Sequence, residues 1–251
     1  MKKIILLFIV SIKILFAQVN TESLRKDFDS LGFAGNVGVD FTSLTGNTEL
    51  LLFSFNGRLN YNFGRSYSFF VFNTDLGFKD KERFSNLSVF HLRFVTSITE
   101  VLQIESFGQY NYDKSRLLLN RELLGAGNRI KLLTQDDLKI RLGISAMMEF
   151  EEYDLPDNSI HPKSVKDFRL STYLSLSFSI NDNSNFISTS YYQPLPRDFA
   201  DAKLLTENSF ETEIKDELKV LIKFNARFDS RPPDGRKKLD TTTKVGIVYE
   251  F

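Results

Sequence analysis

Charged side chains recur at alternate positions through most of this sequence, most of them beside apolar neighbours: Arg58, Asp75, His91, Arg93, Glu105, Arg121, Arg129, Lys139, Arg141, Arg169, Lys223 and Arg227. Asp40, Glu149, Glu151, Lys219 and Lys244 follow the same rule. Side chains of these types at this spacing fit four chemistries. Fixed charges facing one another across an interior would pair, because a buried charge needs a partner. Charges lining an open channel would select ions. A histidine beside a nucleophile would support hydrolysis, with His91 and His161 as the two histidines of the chain. The acidic run at 149–157 would hold Ca²⁺ weakly, although its spacing matches no loop motif.

Period-2 spacing belongs to extended strands, whose side chains point alternately to opposite faces. Val37, Val39 and Phe41 alternate with Gly38, Asp40 and Thr42, and Leu51, Phe53, Phe55, Leu59 and Tyr61 alternate with Leu52, Ser54, Asn56, Arg58 and Asn60. Thr45, Gly46, Asn47 and Thr48 supply turn chemistry between these runs. The pattern is cleanest where Leu138, Ile140, Leu142, Ile144, Ala146, Met148 and Phe150 oppose Lys139, Arg141, Gly143, Ser145, Met147, Glu149 and Glu151. It is weakest at 186–192 and 203–214, where no register can be assigned. It ends on Val245, Ile247, Tyr249 and Phe251, set against Lys244, Gly246, Val248 and Glu250.

This reads as an all-β chain, an antiparallel transmembrane β-barrel of about twelve strands, with an apolar outer face and a charged interior. Strands of about 9 to 13 residues suit the 9 to 11 tilted residues that cross a bilayer. Short turns are expected at 63–66, 97–100, 134–137, 181–185 and 215–217, and longer loops at 79–85, 153–166, 195–202 and 230–238. Barrels of this kind keep short turns on the periplasmic side. A soluble β-sandwich also alternates, and its apolar inner and polar outer faces agree with much of the pattern, but the N-terminal export signal and the length of the strands count against it.

Residues 1–17, with Lys2 and Lys3 before an apolar run ending at Ala17, read as a secretory signal, 18–34 as a periplasmic lead-in, and 35–251 as the barrel. Loss of Lys2, Lys3 and Lys13 turns a balance of 32 basic and 32 acidic residues into a net charge of about −3. That gives no support for a nucleic-acid partner. The absence of cysteine excludes disulfides, thiolate catalysis and cysteine zinc sites. The expected partners are outer-membrane lipids and the barrel assembly machinery, with Val245, Ile247, Tyr249 and Phe251 as the C-terminal insertion signal. No cofactor is expected.

Arg93, Glu105 and Arg121 fall on three consecutive predicted strands and are expected to form a ladder. Arg129, Lys131, Lys139, Arg141, Lys219 and Lys223 gather toward the short turns, and Asp75, Asp113, Glu149, Glu151, Glu152, Asp154 and Asp157 toward the loops. This suggests a basic periplasmic mouth, an acidic outer rim and a narrow pore. Gly125 and Gly127 either leave room for long basic neighbours or mark a bend.

Several motifs carry a family resemblance: Gly46, Asn47 and Thr48; the run from Arg121 and Glu122 to Gly125, Ala126 and Gly127; Tyr192, Gln193 and Pro194 with Asp201; Asp229 through Pro232, Pro233, Asp234 and Gly235; and Tyr249, Glu250 and Phe251. In this order, over residues 35–251, the chain resembles the DUF481 family, the YdiY-like group labelled salt-induced outer-membrane proteins. The resemblance implies an outer-membrane barrel with a structural or envelope-stress role, and it brings no catalytic residues. The alternative is an outer-membrane hydrolase of phospholipase type. Neither histidine is placed as a base at a lipid face, so no enzymatic activity is expected.

Overall fold

In the computed structural model, which describes residues 31–44, 50–215 and 218–249, the chain is a single antiparallel meander. Its strands are β1 (Gly32–Leu44), β2 (Leu50–Asn62), β3 (Ser66–Lys79), β4 (Glu82–Ser97), β5 (Leu102–Asp113), β6 (Leu118–Thr134), β7 (Leu138–Tyr153), β8 (Ser164–Asn181), β9 (Ser184–Leu195), β10 (Asp198–Lys215), β11 (Leu218–Asp229) and β12 (Leu239–Tyr249). Each strand pairs with its neighbour in sequence, giving a twelve-stranded sheet in the order β1 to β12. Among the described residues no ladder joins β12 back to β1. The sheet nevertheless curls on itself, because Arg116, between β5 and β6, forms an ion pair with Asp240 of β12. The expected signal and most of the lead-in, the turn at Thr45 to Thr48, and Phe251 lie outside the described residues; Val245, Ile247 and Tyr249 belong to β12.

The two faces are inverted relative to a water-soluble protein. Leu124 is 70% exposed and Leu92 56%, with Val37, Phe41, Ile144 and Leu174 also bare on the outer face. On the inner face more of the buried residues are polar or charged than apolar. A sandwich would show the reverse, since its inner faces form an apolar core. Outside, an aromatic row crosses β2 to β5 through Phe55, Phe72, Phe70, Phe90 and Tyr110, with successive ring centroids 4.9 to 6.4 Å apart. At the short-turn end Phe33, Tyr61, Phe63 and Phe94 form a second group. Such cross-strand aromatic pairs contribute roughly 0.2–1 kcal/mol each and help fix register.

Two of the expected long loops are tight turns. Strands β3 and β4 meet through Asp80 and Lys81, both in the left-handed region at φ 50° and 66°. This conformation matches the right-handed twist of the flanking strands. Strand β10 begins at Asp198, only two residues beyond β9, and passes through a bulge before Ala202. The contrast in connection length therefore rests on 154–163 and 230–238. The register that the sequence left open is Ser190 opposite Thr206 and Tyr191 opposite Leu205.

Candidate functional site

The interior is built in layers, each laid down by the inward residues of neighbouring strands. At the loop end, Leu87, Val89, Leu118, Tyr153 and Leu155 form a buried apolar cluster, joined by Leu117 and Val165. Leu155 reaches it because the segment 154–163 folds inward, with Asp154 N donating to Leu117 O at 2.8 Å and Tyr153 N to Lys163 O at 2.8 Å. Leu117 takes a left-handed conformation at φ 61° to end the short 3₁₀ turn Lys114–Arg116, which turns the apolar run at Leu117 and Leu118 into the barrel.

Beneath this plug lies a charge network centred on Glu149. Arg121 and Glu149 are both 0% exposed. The Glu149 carboxylate accepts from Arg121 Nε at 2.7 Å, Arg169 Nε at 2.6 Å and Lys203 Nζ at 2.9 Å. Lys203 also donates to Glu151 at 2.6 Å, and Arg121 Nε lies 3.1 Å from Glu151. Arg169 continues the chain of charges to Asp201 at 3.0 Å and Asp167 at 3.5 Å. Four strands, β6, β7, β8 and β10, thus supply alternating signs, and the arginine forks satisfy carboxylates in the geometry that suits them.

A third layer links β4, β5 and β8. Arg93 Nη1 donates to Glu105 Oε2 at 3.2 Å, and Tyr173 Oη donates from the far wall to Glu105 Oε1 at 3.3 Å. Arg93 Nε donates to His91 Nε2 at 3.3 Å. Because a guanidinium cannot accept, this contact puts the imidazole proton on Nδ1, where it faces Gln109 Oε1 at 2.9 Å. Gln109 in turn donates to Asn111 at 2.7 Å. His91, Arg93, Glu105, Tyr173 and Tyr191 line a cavity of about 30 Å³.

Toward the short turns the polar groups are tied to the wall. Arg129 donates to Gln103 at 2.6 Å, Arg141 to Leu133 O at 2.6 Å, and Arg58 to Asn60 at 2.6 Å while its guanidinium lies over Phe69. Lys139 is half-buried and Lys223 exposed. Asp75 is half-buried and accepts from Ser54 and Asn73. Arg227 is buried on β11, beside Asp229 and Asp113 and within reach of Arg116 and Arg121.

This arrangement corrects three expectations. The ladder stops at Arg93 and Glu105, because Arg121 turns to Glu149 and Glu151 on β7. Glu149 and Glu151 are not a solvated acidic rim; they are buried among cations, as is Asp113 beside Arg116. Gly125 and Gly127 make room for no basic side chain: a Cβ at Gly125 would strike the Phe107 ring, and one at Gly127 would overlap the Ile144 carbonyl oxygen and Ser145. Lys203, Asp201, Asp167 and Tyr173 are central to the network, and of these only Asp201 stands out in the sequence, through the family resemblance. The i, i+2 pair Asp201 and Lys203 was the available signal, hidden because β10 had no assigned register.

Among the described residues no group of three or more histidines or carboxylates converges as metal ligands. Asp157, 99% exposed at its side chain, is paired with Lys163, whose ammonium holds the carboxyl below the usual range. The two long segments are joined at Asp234, whose Oδ2 accepts from Ile160 N at 2.6 Å and His161 N at 3.1 Å. Asp234→Ala removes the one acceptor that both bonds share. Faster cleavage within 154–163 by an added protease is expected, with the unfolding midpoint nearly unchanged, since segments released this way open locally.

No curated protein matches this chain. Among solved structures the chain is similar to the NanC porin in a rhombohedral crystal form, at 8% identity and a TM-score of 0.46, covering 79% of this chain and 94% of that one. It is also similar to the translocator domain of the autotransporter NalP from Neisseria meningitidis, at 12% identity and a TM-score of 0.47, covering 92% of each. Residues 36–251 match the family profile described as a protein of unknown function, DUF481, so the chain belongs to the DUF481 family.

Proposed function

We propose that this protein is an integral outer-membrane β-barrel with a sealed interior, serving a structural or envelope-stress role. The observation that carries the reading is the combination of an apolar outer face with the buried network around Glu149. Bare leucines and phenylalanines over most of the outer face are stable against lipid and costly against water, at roughly 25 cal/mol per Å². The ion pairs of Arg121, Arg169 and Lys203 with Glu149 and Glu151 neutralise one another and fill the section beneath the plug. The lipids of the outer membrane and the barrel assembly machinery are the partners this placement requires.

The pore and hydrolase readings fare less well on the same geometry. A pore needs an open section, whereas plug, charge network and tyrosine layer succeed one another along the axis. A hydrolase needs a base within reach of lipid, whereas both ring nitrogens of His91 are engaged on the inner face. Cell fractionation and liposome swelling test the proposal together. The protein is expected in the outer-membrane fraction, resistant to carbonate extraction, and liposomes containing it are expected not to swell in small sugars. Recovery from the soluble periplasmic fraction would overturn the placement; sugar-dependent swelling would overturn the seal.

A further inference from the structure

Arg227 is a buried charge that the network around Glu149 does not use. It projects inward from β11, is 4% exposed, and among the described residues its Nε and Nη1 meet no acceptor. Each carboxylate around it is committed elsewhere. Asp229 Oδ1 accepts from Arg231 N at 3.0 Å, and Asp113 Oδ1 accepts from Ser115 N at 3.0 Å while its Oδ2 lies 3.6 Å from Arg116 Nε. Asp240, which stands opposite Arg227 on β12, pairs with Arg116.

A guanidinium taken out of water without an acceptor loses its hydration and gains nothing in return. The surroundings add to that cost, because Arg116 and Arg121 act on Arg227 more strongly than Asp229 and Asp113 do. Two more donors stand open on the same inner surface. Arg121 gives Nε and Nη2 to Glu149, and among the described residues its Nη1 has no acceptor. Thr242, one inward step along β12 from Asp240, buries a hydroxyl that has no partner among them either. Buried polar groups of this kind call for a bound water or ion. Water accepts from such donors but brings no charge against three guanidiniums, whereas an anion does both.

We propose that the inner face of β11 and β12 binds a single halide-sized anion, with Arg227 as its principal donor and Arg121 and Thr242 beside it. Nε and Nη1 lie on different sides of a guanidinium, so the open donors of Arg227 are not the fork that grips two oxygens of a carboxylate or phosphate. A spherical halide makes no such demand. An ion held here is a fixed part of the interior, and the site stands whether or not the outer face meets lipid.

Urea unfolding of the full chain in detergent, in sodium chloride and in sodium gluconate at equal ionic strength, reads the site through the linkage of binding to folding. Above half-saturation, each tenfold rise in chloride is expected to raise the folded-to-unfolded ratio about tenfold, and the bulky gluconate to leave it unchanged. Arg227→Met is expected to lose the chloride response and, in gluconate, to be at least as stable as the wild type, since it no longer buries an unopposed charge. Wild-type midpoints that agree in the two salts would overturn the proposal. So would a variant destabilised by the same amount in both, which would make Arg227 an ion-pair partner of Asp229 and Asp113 instead. A second measurement does not depend on the variant's folding: wild-type crystals grown in bromide are expected to show an anomalous scattering peak beside the Arg227 guanidinium. An ordered Arg227 with no peak beside it would overturn the proposal as well.

Discussion

Glu149→Ala is expected to lower the stability of the folded barrel by about 3–5 kcal/mol, the cost of breaking a buried pair from one side. Arg121, Arg169 and Lys203 all donate to this carboxylate. Without it Lys203 keeps Glu151, Arg169 keeps Asp201, and Arg121 keeps only the contact to Glu151. Three positive charges then share a space that water does not reach, and their mutual repulsion adds to the lost attraction. The measurement is the urea midpoint of the protein folded in detergent or vesicles, read from the shift between folded and unfolded bands. Glu149→Gln keeps the shape and one acceptor, and is expected to fall between wild type and alanine. Asp157→Ala removes a pair that water already screens and is expected to leave the midpoint unmoved.

Gly143→Ala is expected to cost about 1–3 kcal/mol although it adds a single methyl group, because the core has no room to take it. Gly143 pairs with Tyr173 across β7 and β8, and the tyrosine ring lies over the glycine where a Cβ would stand. An aromatic ring covering a sheet glycine in this way holds both the ring and the local register. Displacing the ring also draws Tyr173 Oη from Glu105 and loosens its packing on Tyr191, whose ring centroid is 5.1 Å away. In a Tyr173→Ala background the same glycine change is expected to cost almost nothing. That non-additivity, measured as a double-mutant cycle, separates a clash with Tyr173 from a general intolerance of Cβ in the strand.

These predictions depend on features that were unequally visible in the sequence. The outer faces of β4, β7 and β8 are legible because large apolar residues recur at alternate positions there, as at Phe90, Leu92 and Phe94, at Leu138 to Ile144, and at Leu174, Leu176 and Phe178. Strands β9 and β10 are not, and the reason is now physical: their outward positions at mid-strand are Ser188, Ser190, Thr206 and Asn208, so the apolar signal vanishes where the strand is most regular. With that register missing, Lys203 and Asp201 could not be assigned to the inner face. Which carboxylate a given arginine chooses was also beyond reach. Arg121 is adjacent to β5 as well as β7, and only the three-dimensional position of Glu149 decides between them. The turn at Asp80 and Lys81 resembles a longer loop in the sequence because its polar residues look the same whether two of them turn the chain or six.

The sealed interior is the claim on which the proposed role depends, and single-channel recording of the purified, folded protein in a planar bilayer tests it most directly. The expected record is a flat baseline over the voltages at which barrel proteins conduct, for the wild type and for Lys139→Glu with Arg141→Glu alike, since these residues line no open path. Stable, ohmic conductance steps from the wild-type protein, with an ion preference that reverses in the Lys139 and Arg141 variants, would contradict it.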